Sequence, residues 1–259
     1  MLDSLYIGAT GMQAQQRNVD TIANNLANVN TAGFKRSRID FEDLLYRTVA
    51  AGATGNDSDM SATRVGMGTA IASTGKVFTA GDIKKTGESL DLAVNGAGFF
   101  EIEMPDRTLA YTRNGAFHLN ADGLIVTSEG YRLNSDVQVP ADTTNLQIDA
   151  DGRVLATVPN ETGQIELGRI DVVTFSNPTG LKAVGDSLYV ATENAGQVTV
   201  NAPGENGAGT LSQGFLEGSN VKLIDEMVNL IVAQRAYEIN SKVVTASDEL
   251  LSISNSLYR

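Results

Sequence analysis

Apolar and polar positions follow two grammars along this chain. Near its C-terminal end, Leu223, Met227, Leu230, Gln234, Tyr237, Ser241, Val244, Asp248, Leu251, Asn255 and Tyr258 succeed one another at steps of four and three. That is the 3.5-residue repeat of a coiled-coil seam. A second row beside it, Ile239, Val243, Ala246, Leu250, Ile253 and Leu257, keeps the same alternation. Together they make a face too wide for one partner helix. No Pro occurs from Val221 onward and no Gly after Gly218, so the pattern predicts one helix of ~37 residues, on the order of 55 Å at ~1.5 Å per residue. At the other end Leu2, Leu5, Ala9, Met12, Gln16, Val19, Ala23 and Leu26 step by three and four. Asp3 or Ser4 is placed to cap that helix, and Asn30 to Gly33 to end it, with Gly33 suited to a left-handed stop.

Two amphipathic helices packed on a domain would give similar rows. The polar seam positions Gln16, Gln234, Ser241 and Asp248 favour pairing between helices, because such residues set register at a cost in stability. The expectation is a terminal coiled coil, residues 1–33 with 219–259, built for assembly.

Between the ends the pattern breaks into short runs of β-branched and aromatic residues. Leu90–Val94, Phe99–Met104, Leu109–Thr112, Asn145–Ile148, Arg153–Ala156, Ile170–Phe175, Ser187–Val190 and Gln197–Val200 read as strands. Asn95-Gly96, Asn114-Gly115, Asp122-Gly123, Glu129-Gly130 and Asp151-Gly152 read as tight turns between them. Residues 70–203 thus predict a central antiparallel β domain, barrel or sandwich, and the fold class α+β. Residues 34–69 form a connecting arm, with Ala50–Asp59 a polar loop, and 204–218 a return linker and strand.

Composition narrows the function. A net charge of −12 excludes the basic footprint of a nucleic-acid binder. The basic knot Lys35-Arg36-Ser37-Arg38 reads as a solvated junction or an intersubunit contact. Cysteine is absent, which removes disulfides and thiolate chemistry. No apolar stretch is long enough to span a membrane, and Met1-Leu2-Asp3-Ser4 lacks the basic start of a cleavable signal peptide.

Catalytic constellations are weak. The single histidine, His118, has no cysteine or second histidine with which to hold zinc, and no Gly-x-Ser-x-Gly elbow accompanies it. Asp149–Gly152 and Asn120–Gly123 lack the later ligands of a calcium loop and read as turns. Gly66-Met67-Gly68 and Gly96-Ala97-Gly98 are incomplete nucleotide fingerprints. Glu101 and Glu103 share one strand face and form a glycosidase-like pair of carboxylates. The expectation is no enzyme, no cofactor and no metal. The outsider alternative is a secreted binding module or carbohydrate-active enzyme acting through Glu101 or Glu103.

The residues also carry a resemblance. Asn18 to Lys35, including Asn24, Asn25, Leu26, Ala27, Asn28, Thr31, Gly33, Phe34 and Lys35, is similar to the N-terminal signature of the bacterial flagellar rod and hook axial proteins. Met227 to Lys242, including Gln234, Arg235, Ala236, Tyr237 and Asn240, resembles that family's C-terminal signature. Asp91–Phe100 and Tyr111–Phe117 resemble its central motifs. The length and Phe41–Tyr46 are most similar to distal-rod members, with a proximal-rod or hook-like subunit as the alternative.

The resemblance implies a structural subunit that polymerises helically with itself into a hollow drive shaft. It implies contacts with proximal rod proteins, hook or hook-junction subunits, the P- and L-ring proteins and the flagellar type III export apparatus. The location implied is the basal body, through the periplasm toward the outer membrane, reached without a cleaved signal. In that setting the seam residues Leu2, Leu5, Ala9, Met12, Gln16, Val19, Ala23, Leu26, Leu223, Met227, Leu230, Gln234, Tyr237, Ser241, Val244 and Leu251 are the expected subunit interface.

Overall fold

The computed structural model describes residues 2–49, 63–135, 137–159 and 163–257. The polar loop expected over Ala50–Asp59 and the last seam position, Tyr258, lie outside the described residues, as does the Leu2 side chain. The chain resolves into two compact units, one of Met1–Ala27, Ser37–Lys76 and Lys222–Arg259, the other of Asn28–Arg36 and Val77–Val221.

The first unit holds the long helices α1 (Leu2–Ala27) and α2 (Leu223–Leu257). With them goes a strand pair, β1 (Ser37–Asp43) against β4 (Thr69–Lys76), antiparallel with a register shift at Asp40/Phe41. A shorter pair, β2 (Arg47–Val49) and β3 (Thr63–Val65), lies between them in sequence. Ser37–Asp43, expected within a connecting arm, is therefore a paired strand. The helices meet in antiparallel order: Gly8 faces Asn240 and Val244, Gly11 faces Asn240, and Asn25 reaches Glu226. Glycine at 8 and 11 lets the backbones approach, since a Cβ would stand 2.7 Å from Val244 Cγ2 or 2.8 Å from Asn240 Nδ2. Asp225 and Glu226 in the first turn of α2 complement the helix dipole.

The second unit is antiparallel β throughout its ladders, with one isolated parallel bridge between Ala97 and Ala208. Its strands follow β5 (Ile83–Lys85), β6 (Leu92–Asn95), β7 (Phe100–Glu103), β8 (Leu109–Thr112), β9 (Phe117–Leu119), β10 (Ile125–Thr127) and β11 (Arg132–Leu133). They continue with β12 (Asn145–Ile148), β13 (Arg153–Thr157), β14 (Gln164–Arg169), β15 (Val172–Phe175), β16 (Lys182–Gly185), β17 (Leu188–Val190), β18 (Val198–Asn201), β19 (Thr210–Gln213) and β20 (Phe215–Glu217). The largest sheet has the order β16-β17-β8-β7-β11-β10-β9, and β12-β13-β14 forms a second. Leu92, Val94, Phe100, Ile102, Val154 and Val172 centre one core cluster. A smaller one gathers Phe99, Tyr111, Val173 and Tyr189, and its three aromatic rings meet Phe78 or Phe175 edge to face. The first part of the stretch 204–218, expected as a return linker, is tied into this unit: Ala208 is buried, and the Gly209 N–H donates to Ala97 O at 2.7 Å.

Candidate functional site: an open helix face and a buried charge cluster

The expected seam is divided by the structure. On α2, Leu230, Ser241, Val244 and Leu251 are half-buried, whereas Leu223, Met227, Gln234, Tyr237, Asp248 and Asn255 are exposed. On α1, Leu5, Met12, Val19 and Leu26 are half-buried, and Ala9, Gln16 and Ala23 are exposed. The most buried positions form a different row. On α2 they are Glu226, Ala233 and Ser247, and on α1 Gly8, Ala14, Ile22 and Asn25. Within one chain the helices pack through small and polar residues, because close approach selects low volume rather than high hydrophobicity.

Most of the large apolar residues of α2 are left outside. Ile224 is 74% exposed and Val232 62% exposed, and Val228, Ile231, Ile239, Val243, Leu250 and Ile253 are also open. A soluble helix ordinarily turns such a stripe inward, and exposed apolar runs of this length mark interaction surfaces. The C-terminal motif residues Gln234, Arg235 and Tyr237 share this open situation, with Ala236 and Asn240 half-buried. Among the described residues Arg235 pairs locally, with Glu238 at 2.7 Å on the same helix.

The N-terminal motif points inward instead. Asn25 is buried, and its amide bonds the backbone of Ser37. Asn28 accepts from Thr31 at 3.2 Å, closing the turn after α1, while Asn24 and Ala27 are exposed and Leu26 is half-buried. Gly33 takes φ 68, and a Cβ there would run into the Arg113–Asn114 backbone, so this left-handed residue serves a close approach. The helix α1 already ends at Ala27, ahead of the stop expected over Asn30 to Gly33. Phe34 and Lys35 are buried.

The burial of Lys35 corrects the solvated-junction reading of the basic knot. Lys35 is fully buried, its Nζ donating to Glu217 Oε1 at 2.6 Å and Thr79 O at 2.8 Å. Of the knot only Arg38 is exposed, paired with Asp40. Arg113 completes the cluster, its Nε 3.4 Å from Glu217 Oε2, its guanidinium donating to the carbonyls of Val94 and Gly96 and lying over the Phe99 ring. The 3.4 Å contact is an ion pair without a well-directed hydrogen bond, and Glu217 Oε2 has no donor among the described residues. Burial pushes the Lys35 ammonium below its usual range against the opposing pull of Glu217, and lowers Arg113 in the same way. Burial likewise raises the Tyr189 hydroxyl to about 12. No local pattern announces this cluster, because Lys35 and Glu217 stand 182 positions apart.

The residues weighed for catalysis fall elsewhere. His118 is exposed on the edge strand β9. Glu101 accepts from Asn134 at 2.7 Å and bonds the Tyr111 hydroxyl, so its carboxylate is engaged in holding strands together. Asn120 Oδ1 accepts from the N–H groups of Asp122 and Leu124, both at 2.9 Å, which is turn chemistry. Among the described residues no helix is long and apolar enough to cross a membrane.

Comparison with known proteins matches three family models. They are the flagellar hook protein FlgE/F/G D1 domain over residues 93–156, the flagellar basal body rod FlgEFG protein C-terminal region over 212–257, and the flagella basal body rod protein over 5–35. The flagellar basal-body rod protein FlgG of Borreliella burgdorferi is 45% identical over 264 residues, covering all of both chains. That of Buchnera aphidicola from Schizaphis graminum is 43% identical over 254 residues, 97% of this chain and 98% of its own. The rod protein FlgF of Caulobacter vibrioides is 34% identical over 254 residues, 96% of this chain and 95% of its own.

Proposed function

The chain belongs to the flagellar basal-body rod protein family and is a structural subunit of that rod, and we propose that it builds the distal section by helical self-polymerisation. The observation that carries this reading is the open apolar row of α2, from Ile224 to Ile253, beside an inner row already used by α1. Neighbouring copies would cover that row, pairing terminal helices as a coiled coil. The interface we propose draws on the seam positions that a single chain leaves open, among them Ala9, Gln16, Ala23, Leu223, Met227, Gln234 and Tyr237, with Leu2 in the same row. A head-to-tail contact whose rotation does not close yields an open helical filament.

The distal assignment is favoured over a proximal one by the identities, 45% to an FlgG against 34% to an FlgF, each over nearly the whole chain. From the family resemblance we extend the reading to the partners: proximal rod proteins below, hook or hook-junction subunits above, P- and L-ring proteins around, and the type III export apparatus as the route. The shaft would then run through the periplasm toward the outer membrane. The relatives are named as rod proteins rather than enzymes, and we read this chain as mechanical in role.

The test is to concentrate purified full-length protein stepwise while imaging it by electron microscopy and recording circular dichroism. Tubes or fibres at high concentration support self-assembly. A monomer at every concentration overturns it.

A further inference from the structure

The chain passes between its two units four times, after Ala27, Arg36, Lys76 and Val221. Three of those crossing points are tied to one another inside the β unit. Asn220 Oδ1 accepts from the Arg36 N–H at 2.7 Å, and Asn220 Nδ2 donates to Val77 O at 2.7 Å. The Val77 N–H in turn donates to Arg36 O at 2.9 Å. Next to this triangle stands the charge cluster. Glu217 Oε1 accepts from Lys35 Nζ at 2.6 Å and from the Gly81 N–H at 2.8 Å, while its backbone carbonyl accepts from the Gly33 N–H at 2.8 Å. Lys35 Nζ also donates to Thr79 O. Each of the segments 33–36, 77–81 and 217–220 is thus bonded to both others.

We propose that Lys35, Glu217 and Asn220 form a brace that makes these three segments order and open as one cooperative element. The physical ground is the asymmetry of buried charge. A buried ion pair adds little net stability, but removing one partner strands the other in a medium that cannot solvate it. Glu217 faces two cations, and Lys35 holds partners on both other segments, so withdrawal of any one segment breaks several of these bonds at once and leaves a charged or polar group of the cluster short of a partner. Ordinary strand pairing at a sheet end would let the segments fray separately. For a shaft subunit the consequence, which rests on the rod reading above, is that force arriving through one crossing is shared by all three.

Hydrogen exchange of the full-length chain, read by mass spectrometry at peptide level, tests the brace without requiring assembly. Three variants are compared: Lys35→Met, which leaves Glu217 beside Arg113, Glu217→Gln, which leaves two buried cations, and Asn220→Ala, which changes no charge. The expected result is that each variant speeds exchange about tenfold or more in peptides 28–36, 77–82 and 215–221 together, while Phe100–Thr112 keeps its protection. Loosening confined to the segment that carries the substitution overturns the proposal. A rise spread evenly over β7 and β8 in Lys35→Met and Asn220→Ala also overturns it, since the brace would then be no separate element. If Glu217→Gln does not fold, the other two variants still decide the question.

Discussion

Asn25 grips the backbone of Ser37 at two points: its Oδ1 accepts from the Ser37 N–H at 2.8 Å, and its Nδ2 donates to the Ser37 carbonyl at 2.9 Å. The side-chain amide thus copies the pairing of a neighbouring strand, at the last turn of α1 and the first residue of β1. The same Nδ2 lies 3.4 Å from the buried Glu226 carboxylate on α2. Replacing Asn25 by Ala removes both bonds to Ser37 and should cost about 2–3 kcal/mol. Replacing exposed Gln16 by Ala should stay within about 0.5 kcal/mol. Urea unfolding followed by far-UV circular dichroism measures both, and equal midpoints would remove the special role of the amide.

Gly8 and Gly11 separate helix propensity from packing. Alanine gains about 1 kcal/mol over glycine in a helix interior, so both Gly→Ala changes would stabilise an isolated helix. At position 8 the new methyl meets Val244 Cγ2, a β-branched side chain with little rotamer freedom in a helix. At position 11 it meets the end of the Asn240 side chain, which can swing aside. Gly8→Ala is therefore expected to lower the thermal midpoint and Gly11→Ala to leave it level or raise it. A rise in both would mean the helices do not approach closely at Gly8.

Two substitutions about half a turn apart on α2 should have opposite consequences. Ile231 is 57% exposed and Ala233 is 1% exposed. Ile231→Asp should keep the helical signal and the unfolding midpoint of the monomer while preventing fibres at any concentration. Ala233→Asp buries a carboxylate against α1 and should destabilise the helical unit itself by several kcal/mol. Normal fibres from Ile231→Asp, seen by electron microscopy, would show that this face is not the assembly surface.

Two tyrosines give a pH dependence. Burial raises the hydroxyls of Tyr111 and Tyr189 from 10.0 to about 12, with the Glu101 charge adding to the effect at Tyr111. Each group holds its proton more tightly folded than unfolded, so the stability it contributes is complete below pH 10 and falls as pH rises toward 12. Phenolate absorbance should therefore show Tyr111 and Tyr189 ionising late, together with loss of the β signal. Ionisation of Tyr111 and Tyr189 near pH 10 with the β signal intact would contradict the burial of both.

Much of the architecture was legible in the residues. Unbroken heptad steps between Gly218 and the end of the chain announced α2, whereas α1 ends at Ala27, before the stop expected over Asn30 to Gly33. Short β-branched runs between Asn-Gly and Asp-Gly turns placed β8 and β12 to the residue. These are local matters, settled by propensity, periodicity and turn chemistry over a few residues. The motif residues that tie the chain to its family were likewise visible as a string.

Only the tertiary structure decided which side of each helix turns inward and what becomes of Lys35. A row chosen by hydrophobicity selects Leu223, Met227 and Tyr237, all of which lie outside in the single chain. The backbones approach instead where Gly8, Gly11, Ala233 and Ser247 leave room, a criterion of volume that depends on the partner's surface as well as on the helix's own sequence. Lys35 reads as one more solvated cation beside Arg36 and Arg38. Its fate was set by Glu217, 182 positions away, because the energy of a buried charge belongs to the pair, and pairing across that separation exists only once the strands have folded.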